Sequence, residues 1–222
     1  MENIMLSNSS LYTNVMEKLR FEPSINDSRI TVAIKSGCIV VLGGKVGSYS
    51  EKLLAETAVE KIASVQGVAN ELEVDFSVIY KRDDVDIVKA ALNALKWSFL
   101  VPHDQIKVAV TSGHITLTGE VQYNYQKERA KNLIQDLYGV VLLTNNIKIK
   151  PSVTPFEVKE KIIKEFERNA RIDANNIQIE VAGSQVTLKG SVKNFNENGE
   201  AVTAAWSVPG VTRVINELKI SC

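Results

Sequence analysis

Polar and apolar positions alternate through SGHITLTGEV (residues 112–121) with the period of two expected of a half-buried strand. Nearly the same phrase returns as AGSQVTLKGSV and, more loosely, as SGCIVVLGGKV. Equating Gly44, Gly119 and Gly190 spaces the copies 75 and 71 residues apart, and self-similarity at a near-constant spacing marks an internal repeat. The rest of the chain falls into the same phase. Leu42, Leu117 and Leu188 precede the glycines, and Val46, Val121 and Val192 follow them. Beyond them come Ala55, Ala58, Val59 and Ile62; then Ala130, Leu133, Ile134 and Leu137; then Ala201, Ala204, Ala205 and Val208. That is one amphipathic helical stripe drawn three times.

Upstream, Leu11, Val15 and Leu19 match Ile87, Ala91 and Leu95, and Val158, Ile162 and Phe166, a second helical stripe. ITVAI, IKVAV and IQIEV follow with strand period, and NELEV, NNIKI and NELKI close the copies as further strands led by Asn70, Asn145 and Asn216. The pattern therefore predicts an α+β protein of three αββαβ units, at residues 8–76, 83–150 and 154–222. Each unit is expected to be a small mixed sheet with two helices on one face. Hairpin turns are expected at Ser36-Gly37, Ser112-Gly113 and Ala182-Gly183, where glycine permits positive φ. Cys38 is a one-residue insertion in the first hairpin. Gly44, Gly119 and Gly190 stand late in their strands, where glycine marks a bulge or the close approach of another backbone. Residues 75–82 and 150–155 read as linkers.

Composition narrows the partners. Lys plus Arg and Asp plus Glu both number 26 in 222 residues, so no global field favours nucleic acid or an anionic surface. No copy concentrates positive charge. No window approaches the roughly 20 apolar residues of a membrane span, and the N-terminal stretch does not read as a secretory signal. Cys38 and Cys222 match neither a metal spacing nor a disulfide framework. A cytoplasmic protein, or one peripheral to the inner membrane, is the expectation.

The phrase SQVTLKGSV, followed by an alanine-spaced helix and PGVTRVINELKI, resembles the BON domain family. The second copy keeps LYGVVLLTNNIKI, with Gly139 where the third has Gly210. The first departs, with Ser64 in place of the late glycine and Gly67 displaced. The resemblance covers nearly the whole chain and is similar to the three-BON proteins of bacteria. It implies a binding or scaffolding role in stress or envelope physiology, with phospholipid or a membrane surface as partner, and it brings no catalytic residue.

The residues themselves offer two surface candidates for ligand or membrane contact. One is the basic trio Lys127, Arg129 and Lys131, whose bland alternative is a solvated helix face. The other is the aromatic set Tyr49, Tyr123, Tyr125 and Phe195, whose bland alternative is packing at the corner between strand and helix. Trp97 and Phe99 invite a ligand reading, but Phe21 and Arg168 stand at the position of Trp97 in the other copies. Such variation suits an exposed or inter-unit contact better than a shared site. Trp206 is expected to pack between units. Catalysis is not expected. His103 and His114 have no counterparts in the other copies, Cys38 has no placed base, and no phosphate-binding glycine loop is present. No cofactor is implied. Potassium binding, which the resemblance allows and residue spacing would not reveal, and self-assembly through an exposed sheet edge remain as alternative roles.

Overall fold

The chain is described by a computed structural model covering residues 2–35, 38–75, 82–150, 154–169 and 172–220, with side chains from residue 9 onward. The expected turn at Ser36-Gly37, linker residues 76–81 and 151–153, and Cys222 lie outside the described residues. Its residues group into two compact units: Met1–Ala90 with Val110–Ile115 and Ile134–Leu143, and Ala91–Ala109 with Thr116–Leu133 and Thr144–Cys222.

Each repeat places a helix, two strands, a second helix and a final strand in that order. The first has α1 (Glu2–Phe21), β1 (Ile30–Lys35), β2 (Ile39–Val46), α2 (Tyr49–Glu60), β3 (Gly67–Asn70) and β4 (Glu73–Val74). The second has α3 (Asp84–Trp97), β5 (Ile106–Thr111), β6 (His114–Val121), α4 (Asn124–Gln135) and β7 (Leu142–Ile149). The third has α5 (Pro155–Arg168), β8 (Ile177–Ala182), β9 (Gln185–Val192), α6 (Phe195–Trp206) and β10 (Arg213–Ile220). The second strand of each repeat is central to its sheet. In the first repeat β2 pairs antiparallel with β1 and parallel with β3 and β4; in the third β9 pairs antiparallel with β8 and parallel with β10. The α+β architecture of three mixed-sheet repeats thus stands as the periodicity predicts.

The helical stripes are the cores. All nine residues of the first stripe are buried: Leu11, Val15 and Leu19; Ile87, Ala91 and Leu95; Val158, Ile162 and Phe166. In the first repeat they pack with Val40, Leu42 and Val46 of β2 and with Ala55, Ala58 and Val59 of α2. In the third repeat the equivalent set is Val186, Leu188 and Val192 with Ala201, Ala204 and Ala205. Alanine recurs on the second helix because its small side chain lets that helix lie close to the sheet, whereas Phe166 fills the volume on the facing helix.

Three local differences separate the structure from the expected pattern. Ala182 belongs to β8 and pairs with Gln185, so the third turn is Gly183-Ser184 rather than Ala182-Gly183. The closing strands start before their asparagines, at Gly67, Leu142 and Arg213. In the first repeat that strand is split into β3 and β4, and beside the break the Leu72 carbonyl accepts from the Lys52 ammonium at 2.7 Å. Cys38, the extra hairpin residue, takes a φ of 56° and packs half-buried against the first core.

Helix starts follow local capping chemistry. At α5, Thr154 and Glu157 form a reciprocal capping box with Pro155 in the first turn, the arrangement that best satisfies free N–H groups. The Thr154 amide and hydroxyl donate to Glu157 and hold its carboxyl below the usual range. Because the folded value is depressed, this contribution is present above the unfolded carboxylate range and is lost as pH falls through the lowered value. NMR titration of Glu157 is expected to show the low midpoint in the native chain and a partial rise in Thr154→Ala, which removes the hydroxyl but keeps the amide that is the larger cause. A midpoint at the ordinary carboxylate value in the native chain contradicts the assignment.

Candidate functional site

Shared positions and differing positions do separate work in this chain, and the shared ones are structural. A Cβ on Gly44, Gly119 or Gly190 would sit 2.2, 2.0 or 2.1 Å from the carbonyl oxygen of Arg29, Gln105 or Asn176, the residue just before each first strand. Each glycine is where that backbone crosses. Gly113, Gly139, Gly183 and Gly210 all adopt positive φ in turns, as a structural role requires.

Seven residues beyond each strand glycine stands a side chain that the sequence reading missed. Glu51 accepts from the amides of Asn26 and Gly47, both at 2.7 Å. Glu197 accepts from Asp173 at 2.8 Å and Lys193 at 2.6 Å. In the middle repeat Gln126 accepts from Gln122 and Tyr123. In the outer repeats the carboxylate therefore straps the start of the second helix to the loop ahead of the first strand. The signal was in the sequence, as Glu, Gln and Glu in one register, but an acid near a helix start also fits the general bias set by the helix dipole. Asn70 and Asn145 donate to the carbonyls of Lys52 and Lys127, and Asn216 donates to the Asn198 side chain, pinning each closing strand to its helix.

The surface candidates divide. Tyr49 is buried, so its ring offers nothing to a ligand, while Tyr125 and Phe195 are exposed. Tyr123 is half-buried, with its ring centroid 5.4 Å from that of Tyr125. Arg129 is exposed, and Lys127 and Lys131 are half-buried. Lys127 borders a shallow groove with Thr118, Glu120 and Lys148. Trp206 packs half-buried against the third repeat's own core.

Among the described residues, the most exposed apolar side chains lie elsewhere, at the end of α3. Trp97 is 89 % exposed, Phe99 101 % and Leu100 50 %. This tip is not slack chain. Ser98 donates to Leu95, Val101 to Ser98 and His103 to Val101, while Val101 is buried and anchors the loop from beneath. Phe21 and Arg168, at the position of Trp97 in the other repeats, are also exposed. The register position therefore points outward in all three copies, and only the second copy follows its aromatic with Phe and Leu.

Titratable groups form no comparable centre. The His103 ring lies 3.1 Å from its neighbour Asp104, and His114 opens β6 on the surface. Among the described residues, no group of three or more His, Cys, Asp or Glu could hold a metal ion. Among them too, no helix is long and apolar enough to cross a membrane.

The fold, with its thrice-repeated glycine crossings and asparagine pins, defines a tandem-repeat α+β protein. The BON domain pattern matches residues 7–75, 83–151 and 156–222, and the chain belongs to the BON domain family. It is 23 % identical over 209 residues to osmotically-inducible protein Y of Escherichia coli K12, covering 86 % of this chain and 95 % of that one. Among solved structures, CdsD, a structural protein of the type III secretion system of Chlamydia trachomatis, aligns with 96 % of this chain and 93 % of its own at 15 % identity and a TM-score of 0.27. The PrgH periplasmic domain aligns with 93 % of this chain and 100 % of its own at 8 % identity and a TM-score of 0.23. Superpositions this loose carry no structural argument.

Proposed function

We propose that this chain is a non-catalytic attachment protein of stress or envelope physiology that docks on phospholipid surfaces through the second repeat, with Trp97, Phe99 and Leu100 entering the interfacial layer. The carrying observation is the nearly complete exposure of Trp97 and Phe99 on a loop anchored by buried Val101. Large apolar side chains held together at a surface mark an interaction site, and tryptophan favours the boundary between water and lipid. The anchored loop lowers the ordering cost of binding. Membership of the BON family and similarity to an osmotically-inducible relative support the stress and envelope setting.

Charge supports an apolar rather than an electrostatic mode, since the chain carries 26 basic and 26 acidic residues. Adherence to vesicles should accordingly persist as salt rises, where a polybasic contact would fade within a Debye length. Burying one Phe-sized side chain contributes about 1.5–3 kcal/mol. Removing two should weaken partitioning about 100-fold or more. Co-sedimentation with mixed phosphatidylglycerol and phosphatidylethanolamine vesicles tests this: the native chain binds, and the Trp97→Ser/Phe99→Ser variant does not, with an unchanged circular dichroism spectrum. Absence of binding by the native chain, or equal binding by the variant, refutes the proposal.

A further inference from the structure

The second helix of each repeat starts at one corner and finishes at another, and these corners meet between successive repeats. In the first compact unit, Ser50 at the start of α2 donates its hydroxyl to the Gln135 carbonyl at 3.1 Å and to the Asp136 carboxylate, at the finish of α4. In the second compact unit, the Gln122 carbonyl at the start of α4 accepts from the Gly210 amide, beyond the finish of α6, at 2.9 Å. Start meets finish twice, each time from one repeat to the next.

At the α4 corner Tyr125 stays 48 % exposed, but the aromatic five residues beyond the strand glycine differs sharply between the first and third repeats. Tyr49, beside Ser50, is 7 % exposed without being part of the first repeat's own core cluster. Phe195 occupies the same register position in the third repeat and is 82 % exposed, with Lys193, Asn194 and Asn196 exposed around it. At the other extreme, the finish of α2 in the first repeat exposes Glu60, Lys61, Ala63 and Ser64.

We propose that Phe195 is covered by the finishing corner of the first repeat of a second copy of this chain, continuing between chains the contact made twice within one. The chemistry carries over: Asn196 stands where Ser50 stands and Lys61 where Asp136 stands. An amide oxygen accepts from an ammonium as a carboxylate accepts from a hydroxyl. The two surfaces differ, so the contact is heterologous and leaves one corner of each kind free on every complex. Assembly then grows with concentration and does not stop at two copies.

Sedimentation velocity of the full chain over rising concentration tests this. The average mass should climb above the 24.5 kDa of one chain. Phe195→Ser and Ser64→Arg, both at exposed positions, should each hold that single-chain mass while keeping the native circular dichroism spectrum. Mixing the two variants should restore a species of twice that mass and nothing larger, because each supplies the corner the other lacks. A native chain that never exceeds one-chain mass overturns the proposal, as does a mixture that stays at that mass or a Phe195→Ser chain that still assembles. So does loss of vesicle binding by Phe195→Ser in a chain that remains single, which gives the residue to lipid instead.

Discussion

Replacing Gly190 with alanine is expected to unfold the third repeat. The added Cβ would lie 2.1 Å from the carbonyl oxygen of Asn176, a distance no side-chain rearrangement relieves because the obstacle is backbone. Gly190 pairs with Ile177 in the register, so relief requires β8 to leave β9. Its φ of 118° adds strain for any residue with a Cβ. The combined cost should be about 3 kcal/mol or more, a large fraction of the stability of a domain this small. Gly183→Ala is the matched control: its φ is positive too, but its Cβ would meet nothing within 4 Å, so it should cost only about 1 kcal/mol. Urea unfolding of both variants checks the pair, and equal costs would mean that the backbone crossing is not what the strand glycine serves.

The second large effect is expected at Glu197, 3 % exposed and the one buried charged residue among those described. Its two oxygens accept from the Asp173 and Lys193 amides, while its own amide donates to the helix-capping Asn194. Glu197→Ala leaves two part-buried amides without their acceptor and should cost about 2 kcal/mol. Glu197→Gln should cost less, because its one amide oxygen can still accept from one of the two N–H groups that the carboxylate serves. Thermal unfolding that ranks Gln as low as Ala would contradict the role assigned to the strap.

The spacing of Gly44, Gly119 and Gly190 was enough to place six helices and three sheets, because burial repeats with the period of each element and no other constraint competes. Boundaries were less legible. The split of the first closing strand into β3 and β4 leaves the apolar alternation of NELEV intact, so periodicity does not reveal it. The aromatic set was legible as residues but not as roles. Tyr49 and Phe195 share a register position, yet one is buried and the other exposed, a difference that the shared local pattern does not carry. The exposed tip illustrates the converse. Variation among Phe21, Trp97 and Arg168 already pointed to an exposed or inter-unit contact, while the anchoring by Val101 that presents Phe99 became visible only in the fold.

These readings converge on one claim, that the letters common to the three copies build the repeat and that lipid binding resides where the second copy departs from the others. Hydrogen–deuterium exchange of the chain with and without phosphatidylglycerol vesicles tests it most directly. Vesicle-dependent protection should be confined to the peptide spanning residues 92–101. Protection centred instead on the shared strand phrase at residues 114–121 and its counterparts, or protection nowhere along the chain, would contradict it.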